Sequence, residues 1–178
     1  METDIDLSSY GFTGFGKDQL EQIYIGAASG LTSEQISLYA KRVFTVQQMI
    51  QIRAGLEVGL SESQIMLYAQ PEFTWRQMIE IRLGLIEGLS MEQVRLYARR
   101  EFNDEQMNEI RSGFQFGLKM NEVSVFAKPE FDKNQMLVIR CGFQKGLTTK
   151  HVFSFAKPEI HWREMLERRE QLINLLKQ

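Results

Sequence analysis

Apolar and polar positions in this chain follow a helical rhythm that repeats. From Phe73 the order FTWRQMIEIRLGLIEGLSMEQVRLYARRE sets Met78, Ile81, Leu85 and Leu89 on one helical stripe, then Val94 and Tyr97 on a shorter one. The order returns every 29 residues, so that Phe15, Phe44, Phe73, Phe102, Phe131 and Ile160 share a column. Gln19, Gln48, Gln77, Gln106, Gln135 and Glu164 share another. A fixed period of about twenty to fifty residues marks a stacked repeat architecture. The pattern predicts an all-α fold, an α-solenoid of two-helix repeats, forming a single domain over 1–178. It comprises a degenerate N-terminal half-unit over 1–14, five full repeats over 15–159 and a terminal capping helix over 160–178.

Polar residues at the ends of the stripes set the helix boundaries. Counting from each Phe, position 2 holds Thr45, Thr74, Asn103 or Asp132 and position 5 holds Gln. That spacing is a capping box, and the Phe before it can staple to Met49, Met78, Met107 or Met136. Position 16 is Gly30, Gly59, Gly88, Gly117 or Gly146, each followed by Leu, which is a helix stop. Thr32 with Gln35, Ser61 with Gln64 and Ser90 with Gln93 cap the second helix. It is expected to stop near Ala69, Ala127 or Ala156, because Pro71, Pro129 and Pro158 disfavour the α region before them. The mid-helix glycines Gly26, Gly55, Gly84, Gly113 and Gly142 each cost about 1 kcal/mol of helix propensity. Close approach of a neighbouring helix is the expected reason.

Composition narrows the function classes. The chain has 178 residues, a formal charge of −2 and a pI of about 5.8, so no basic excess points to nucleic acid. Charge drifts from four Lys/Arg against nine Asp/Glu over 1–72 to nine against five over 131–178. The single Cys141 cannot form an intrachain disulfide and suits a reducing compartment. No secretory leader or membrane-spanning run is visible in the pattern, so a cytoplasmic location is expected.

No catalytic or metal-ligating constellation emerges. His151 fills a slot held elsewhere by Gln35, Gln64 and Gln93, and His161 fills an N-cap slot. Neither has a Cys, Ser or carboxylate at the spacing of a triad or metal site. The expectation is a non-enzyme with no cofactor and no metal. A row of arginines (Arg53, Arg82, Arg111, Arg140 and Arg169) occupies position 10, and Glu72, Glu101, Glu130 and Glu159 end the repeats. The structural reading forks each Arg onto a Glu or onto carbonyls at a second-helix C-terminus. The functional reading aims the row at phosphates or at carboxylates of a partner.

Recurrent positions build the fold, so positions that vary are free to meet a ligand. Positions 3, 7, 11 and 14 share a first-helix face away from the core. They carry Trp75, Ile79, Leu83 and Ile86 in the third repeat, Ile50 in the second, Leu137 and Cys141 in the fifth, and Trp162, Leu166 and Ile173 in the sixth. In the fourth they are polar. Trp75, Ile79, Leu83, Ile86, Ile50, Trp162 and Leu166 are therefore the candidate partner-binding residues. The competing reading is that this face is core.

The phrase Q-M-x-x-I-R-x-G-L-x-x-G-L-S from Gln48 to Ser61, with Y-A-x-P-E-F from Tyr68 to Phe73, resembles a repeat in uncharacterised proteins of Firmicutes mobile elements. The resemblance implies a small cytoplasmic accessory protein that binds and inhibits a host defence protein, such as a CRISPR effector nuclease, in the bacterial host cell. It implies no catalytic residues. A nucleic-acid binder using the Arg row is the alternative, and a homo-oligomer through the apolar stripe is a third reading.

Overall fold

A computed structural model describes residues 13–176. The expected half-unit over 1–14 falls almost wholly outside the described residues. Every regular element among the described residues is helical. The six longer helices start at Lys17, Val46, Trp75, Asp104, Lys133 and Trp162, a step of 29 each time. They are α1 (Lys17–Ala28), α3 (Val46–Glu57), α5 (Trp75–Ile86), α7 (Asp104–Gln115), α9 (Lys133–Gln144) and α11 (Trp162–Leu175). Between them lie the shorter α2 (Ser33–Tyr39), α4 (Glu62–Ile65), α6 (Met91–Tyr97), α8 (Met120–Phe126) and α10 (Thr149–Phe153). None of the described helices is long and apolar enough to cross a membrane.

The chain divides into two compact units, one ending at Gly88 and one beginning at Leu89. In the N-terminal unit α1 packs beside α3 and α3 beside α5, with α2 and α4 against the first-helix layer. The C-terminal unit repeats this with α7, α9 and α11, and α8 and α10 beside them. The core is made of the expected stripe. Met49, Ile52, Ile65 and Tyr68 in the first unit, and Met107, Ile110, Val123 and Phe126 in the second, are fully buried.

Local chemistry explains the boundaries. Thr45 Oγ1 accepts the Gln48 N–H, and the Gln48 side chain accepts the Thr45 N–H, closing the expected capping box. α3 ends in a Schellman motif: Leu60 N–H donates to Gly55 O and Gly59 N–H to Leu56 O, with Gly59 at φ 85°. Proline is not what ends the second helices. α2 and α6 stop at Ala40 and Ala98 although Arg42 and Arg100 stand in the proline column. At Ala40, Ala98 and Ala127 the backbone adopts ψ near 63°, and Lys41, Arg99 and Lys128 N–H each donate to the carbonyl two residues back. That is an inverse γ-turn, which ends a helix without help from proline.

Gly26, Gly55 and Gly113 answer to an aromatic side chain rather than to a helix backbone. A Cβ on Gly55 would stand 1.9 Å from Tyr68 Oη, and one on Gly26 would stand 2.0 Å from Tyr39 Oη. In the C-terminal unit the clash partner of Gly113 is the Phe126 ring edge at 2.9 Å. Gly59, by contrast, has open space where its Cβ would be, so its backbone conformation alone demands glycine.

Candidate functional site

Helix α5 starts at a complete capping box, with Thr74 accepting the Gln77 N–H at 3.2 Å and Gln77 accepting the Thr74 N–H at 2.8 Å. This start fixes which residues face inward. Met78, Ile81 and Leu85 are buried, so Trp75, Ile79, Leu83 and Ile86 lie on the flank away from them. Ile79 and Leu83 are half-buried, while Trp75 and Ile86 are 36% and 43% exposed. The Arg76 guanidinium lies 4.9 Å from the Trp75 ring centroid, a cation–π contact. Ile50 is half-buried at the equivalent place on α3, the helix beside α5. The N-terminal unit thus brings five of the seven candidate residues onto two adjacent helices.

Trp162 and Leu166 belong to α11 of the C-terminal unit and are both half-buried. Arg163 lies 5.2 Å over the Trp162 ring, and the His161 ring is 5.6 Å away. Leu137 is exposed and Cys141 half-buried on α9, while Ile173 is buried and belongs to the core.

The arginine row bonds between neighbouring first helices. Arg53 Nη2 donates to Gln22 Oε1 at 3.2 Å, and Arg82 Nη2 to Gln51 Oε1 at 3.1 Å. Arg140 Nε donates to Glu109 Oε2 at 2.9 Å, and Arg169 Nη1 to Val138 O at 3.4 Å. The receiving residue is position 8 of the preceding repeat, not a second-helix C-terminus and not the terminal Glu row. Glu72, Glu101, Glu130 and Glu159 are exposed. Carboxylates neutralise three of the row: Arg53 pairs with Glu57, Arg140 with Glu109 while also reaching the Gln144 amide, and Arg169 with Glu170. The Arg169 hydrogen bond is the main cause holding the Glu170 carboxyl below the usual carboxylate range. Arg111 is buried.

The glutamine column has a second task that its spacing does not disclose. Gln48 Nε2 donates to Phe73 O at 2.6 Å and Pro71 O at 3.1 Å, across the join to the next hairpin. Gln106 and Gln135 repeat this toward Phe131 and Ile160 at 2.7 Å each, and Gln19 donates to Phe44 O at 2.8 Å. Both histidines cap helices: Thr148 N–H donates to His151 Nδ1, and Arg163 N–H to His161 Nδ1, each at 3.3 Å. No group of three His, Cys, Asp or Glu among the described residues could hold a metal.

Some exposed apolar residues escaped the sequence reading. Val58 and Phe116 share position 15, Met66 and Phe153 share position 23, and all four are exposed. Their columns vary from repeat to repeat, which was the available signal. Arg140 lies 5.2 Å over the Phe116 ring. A groove of about 560 Å³ in the N-terminal unit is lined by Leu38, Leu56 and Leu60 together with Glu34 and Glu62. Compared with family models, curated proteins and solved structures, the chain matches none of them.

Proposed function

We propose that this chain is a non-enzymatic protein-binding scaffold. In this reading it is an α-solenoid of two-helix 29-residue repeats, whose shared positions build the stack and whose variable first-helix positions meet a partner. The observation that carries the reading is the half-exposed face of Trp75, Ile79, Leu83 and Ile86 on a helix whose other flank is fully packed. Aromatic and branched apolar groups held on a rigid helix are what a protein contact uses as anchors. The arginine row supports a nucleic-acid reading less well, because Arg53, Arg140 and Arg169 are already joined to carboxylates of this chain. The narrower reading is a cytoplasmic accessory protein of a bacterial mobile element that inhibits a host defence protein such as a CRISPR nuclease. It rests on the resemblance of the repeat phrase.

The test is affinity capture from the native bacterial host with the wild-type chain and with Trp75→Glu/Ile79→Glu, each checked by circular dichroism. The expected result is unchanged helicity and loss of the captured protein. Lost helicity would place these side chains in the core, and unchanged capture would place the contact elsewhere. Light scattering of the same samples separates a self-association surface from a heterologous one.

A further inference from the structure

Arg82 stands in the middle of the apolar face. Trp75, Ile79, Arg82 and Ile86 advance by four, three and four residues, which keeps them on one narrow stripe of α5. The guanidinium donates to the neutral Gln51 amide at 3.1 Å, and no carboxylate among the described residues lies within ion-pair reach of it. Its Nε is buried without a hydrogen-bond partner, as is that of Arg53, so what sets Arg82 apart is the missing counter-charge and not the Nε. A partly desolvated cation left without a counter-charge is costly, so its place among apolar side chains calls for a reason.

The neighbouring helix supplies a template for the missing group. On α3 the same stripe reads Val46, Ile50, Arg53 and Glu57, and the Glu57 carboxylate closes onto Arg53 from one turn away. On α5 that position is Ile86, so the chain provides no acid there. Building on the protein-binding reading above, we propose that Arg82 is the specificity-determining residue of this surface. It takes a carboxylate from an Asp or Glu flanked by apolar residues in a segment of the partner protein.

Charge and shape favour a peptide acid over a nucleic-acid phosphate. Nucleic acid needs several cations in line with successive phosphates. Arg82 is instead bordered by Ile79, Leu83 and Ile86, the other cation of this face, Arg76, is stacked on the Trp75 ring, and its counterpart Arg53 is neutralised from within. The planar guanidinium suits a carboxylate presented between apolar contacts.

The test uses a random linear peptide library displayed on phage, selected on the full-length chain. Synthetic versions of the selected peptides are then measured by fluorescence anisotropy. A fluorescent oligothymidylate serves as the second probe. Wild type should select peptides with a fixed Asp or Glu between apolar residues. Arg82→Met should weaken those peptides about tenfold or more and abolish the acid preference in a fresh selection, while Arg82→Lys retains part of both. Ile86→Glu, which installs the acid that α3 carries, should weaken them comparably with helicity and melting unchanged. It keeps the question open to test if Arg82→Met folds poorly.

Peptides lost on Ile79→Glu but without an acid preference would overturn the role of Arg82 and leave the protein-binding face standing. An acid preference that survives both Arg82→Met and Ile86→Glu would do the same. Enrichment of no peptide sensitive to Ile79→Glu would remove both readings. Oligothymidylate binding that disappears in Arg82→Met would replace the carboxylate by a phosphate and overturn the proposal.

Discussion

Gln48 holds Phe73 across the join between two hairpins. Its Oε1 accepts the Thr45 N–H at 2.8 Å while its Nε2 donates to the Phe73 carbonyl at 2.6 Å. One buried amide therefore starts one helix and ties down the residue that precedes the next. A carboxylate could do the first task but has no proton for the second. Gln48→Glu should lower stability by about 2 kcal/mol in urea melts, with the loss shrinking on acidification because a protonated carboxyl can donate again. Gln64→Glu is the control: Gln64 accepts the Ser61 N–H on an exposed cap with no cross-hairpin bond from its amide nitrogen, so the change should be near neutral. Equal losses at both sites would remove the distinction. The chain already contains the natural version, since the equivalent column of the last first-helix is Glu164 and that of α8 is Glu122.

Gly55→Ala reverses the sign expected from propensity. In an exposed helix, Ala gains about 1 kcal/mol over Gly. Here the new methyl would meet Tyr68 Oη at 1.9 Å and Ile65 Cδ1 at 3.0 Å. The expected outcome is a loss of about 1–3 kcal/mol from overpacking. Tyr68→Phe removes the nearest clashing atom at the cost of its bond to Gln51 O. In thermal melts the double variant should therefore be more stable than the two single losses summed. Additive losses would mean that the hydroxyl is not the obstacle.

Glu109 and Arg140 form the buried rung of the C-terminal unit, with side chains 16% and 10% exposed. The same slot is Gln22 and Gln51 in the N-terminal unit, where an amide receives the guanidinium. Glu109→Gln should therefore cost about 1 kcal/mol or less. Glu109→Leu leaves Arg140 with Gln144 as its remaining side-chain acceptor and should cost about 3 kcal/mol, read from the denaturant midpoint. Indifference to both changes would show that the rung carries no net stability.

Burial pushes the Tyr39 hydroxyl up to about 12 and moves Tyr68 in the same direction, in each case against the opposing charge of a nearby arginine. A phenol whose folded-state pKa is raised contributes stability that is complete below its ordinary value near 10 and is lost as pH rises through the folded value. The expected outcome is alkaline unfolding that begins above pH ~10 and is delayed in Tyr39→Phe. Ultraviolet titration of tyrosinate should show a smaller late component in that variant, the remainder belonging to Tyr68. An unchanged late component would assign it to another tyrosine.

Much of the helix plan could be read from residues three or four apart. Thr45 with Gln48, Ser90 with Gln93 and Asp132 with Gln135 all close the boxes their spacing announces. The reason for the second-helix stop was misread. Proline is a strong local signal, but the inverse γ-turns at Ala40 and Ala98 form without it. The candidate face was visible as variation against a constant background. The same criterion applied to positions 15 and 23 would have found Phe116 and Phe153.

The order of residues alone determined where helices begin, where glycine ends them and which stripe is apolar, because capping, backbone sterics and helical periodicity act within one or two turns. The meaning of the Gln and Arg columns was decided only in three dimensions. Gln48 meets Phe73, and Arg82 meets Gln51, 25 and 31 residues away in sequence. No spacing rule reaches that far. Packing one hairpin on the next created those contacts, and it left Arg53 closed by its own Glu57 and Arg82 without a carboxylate.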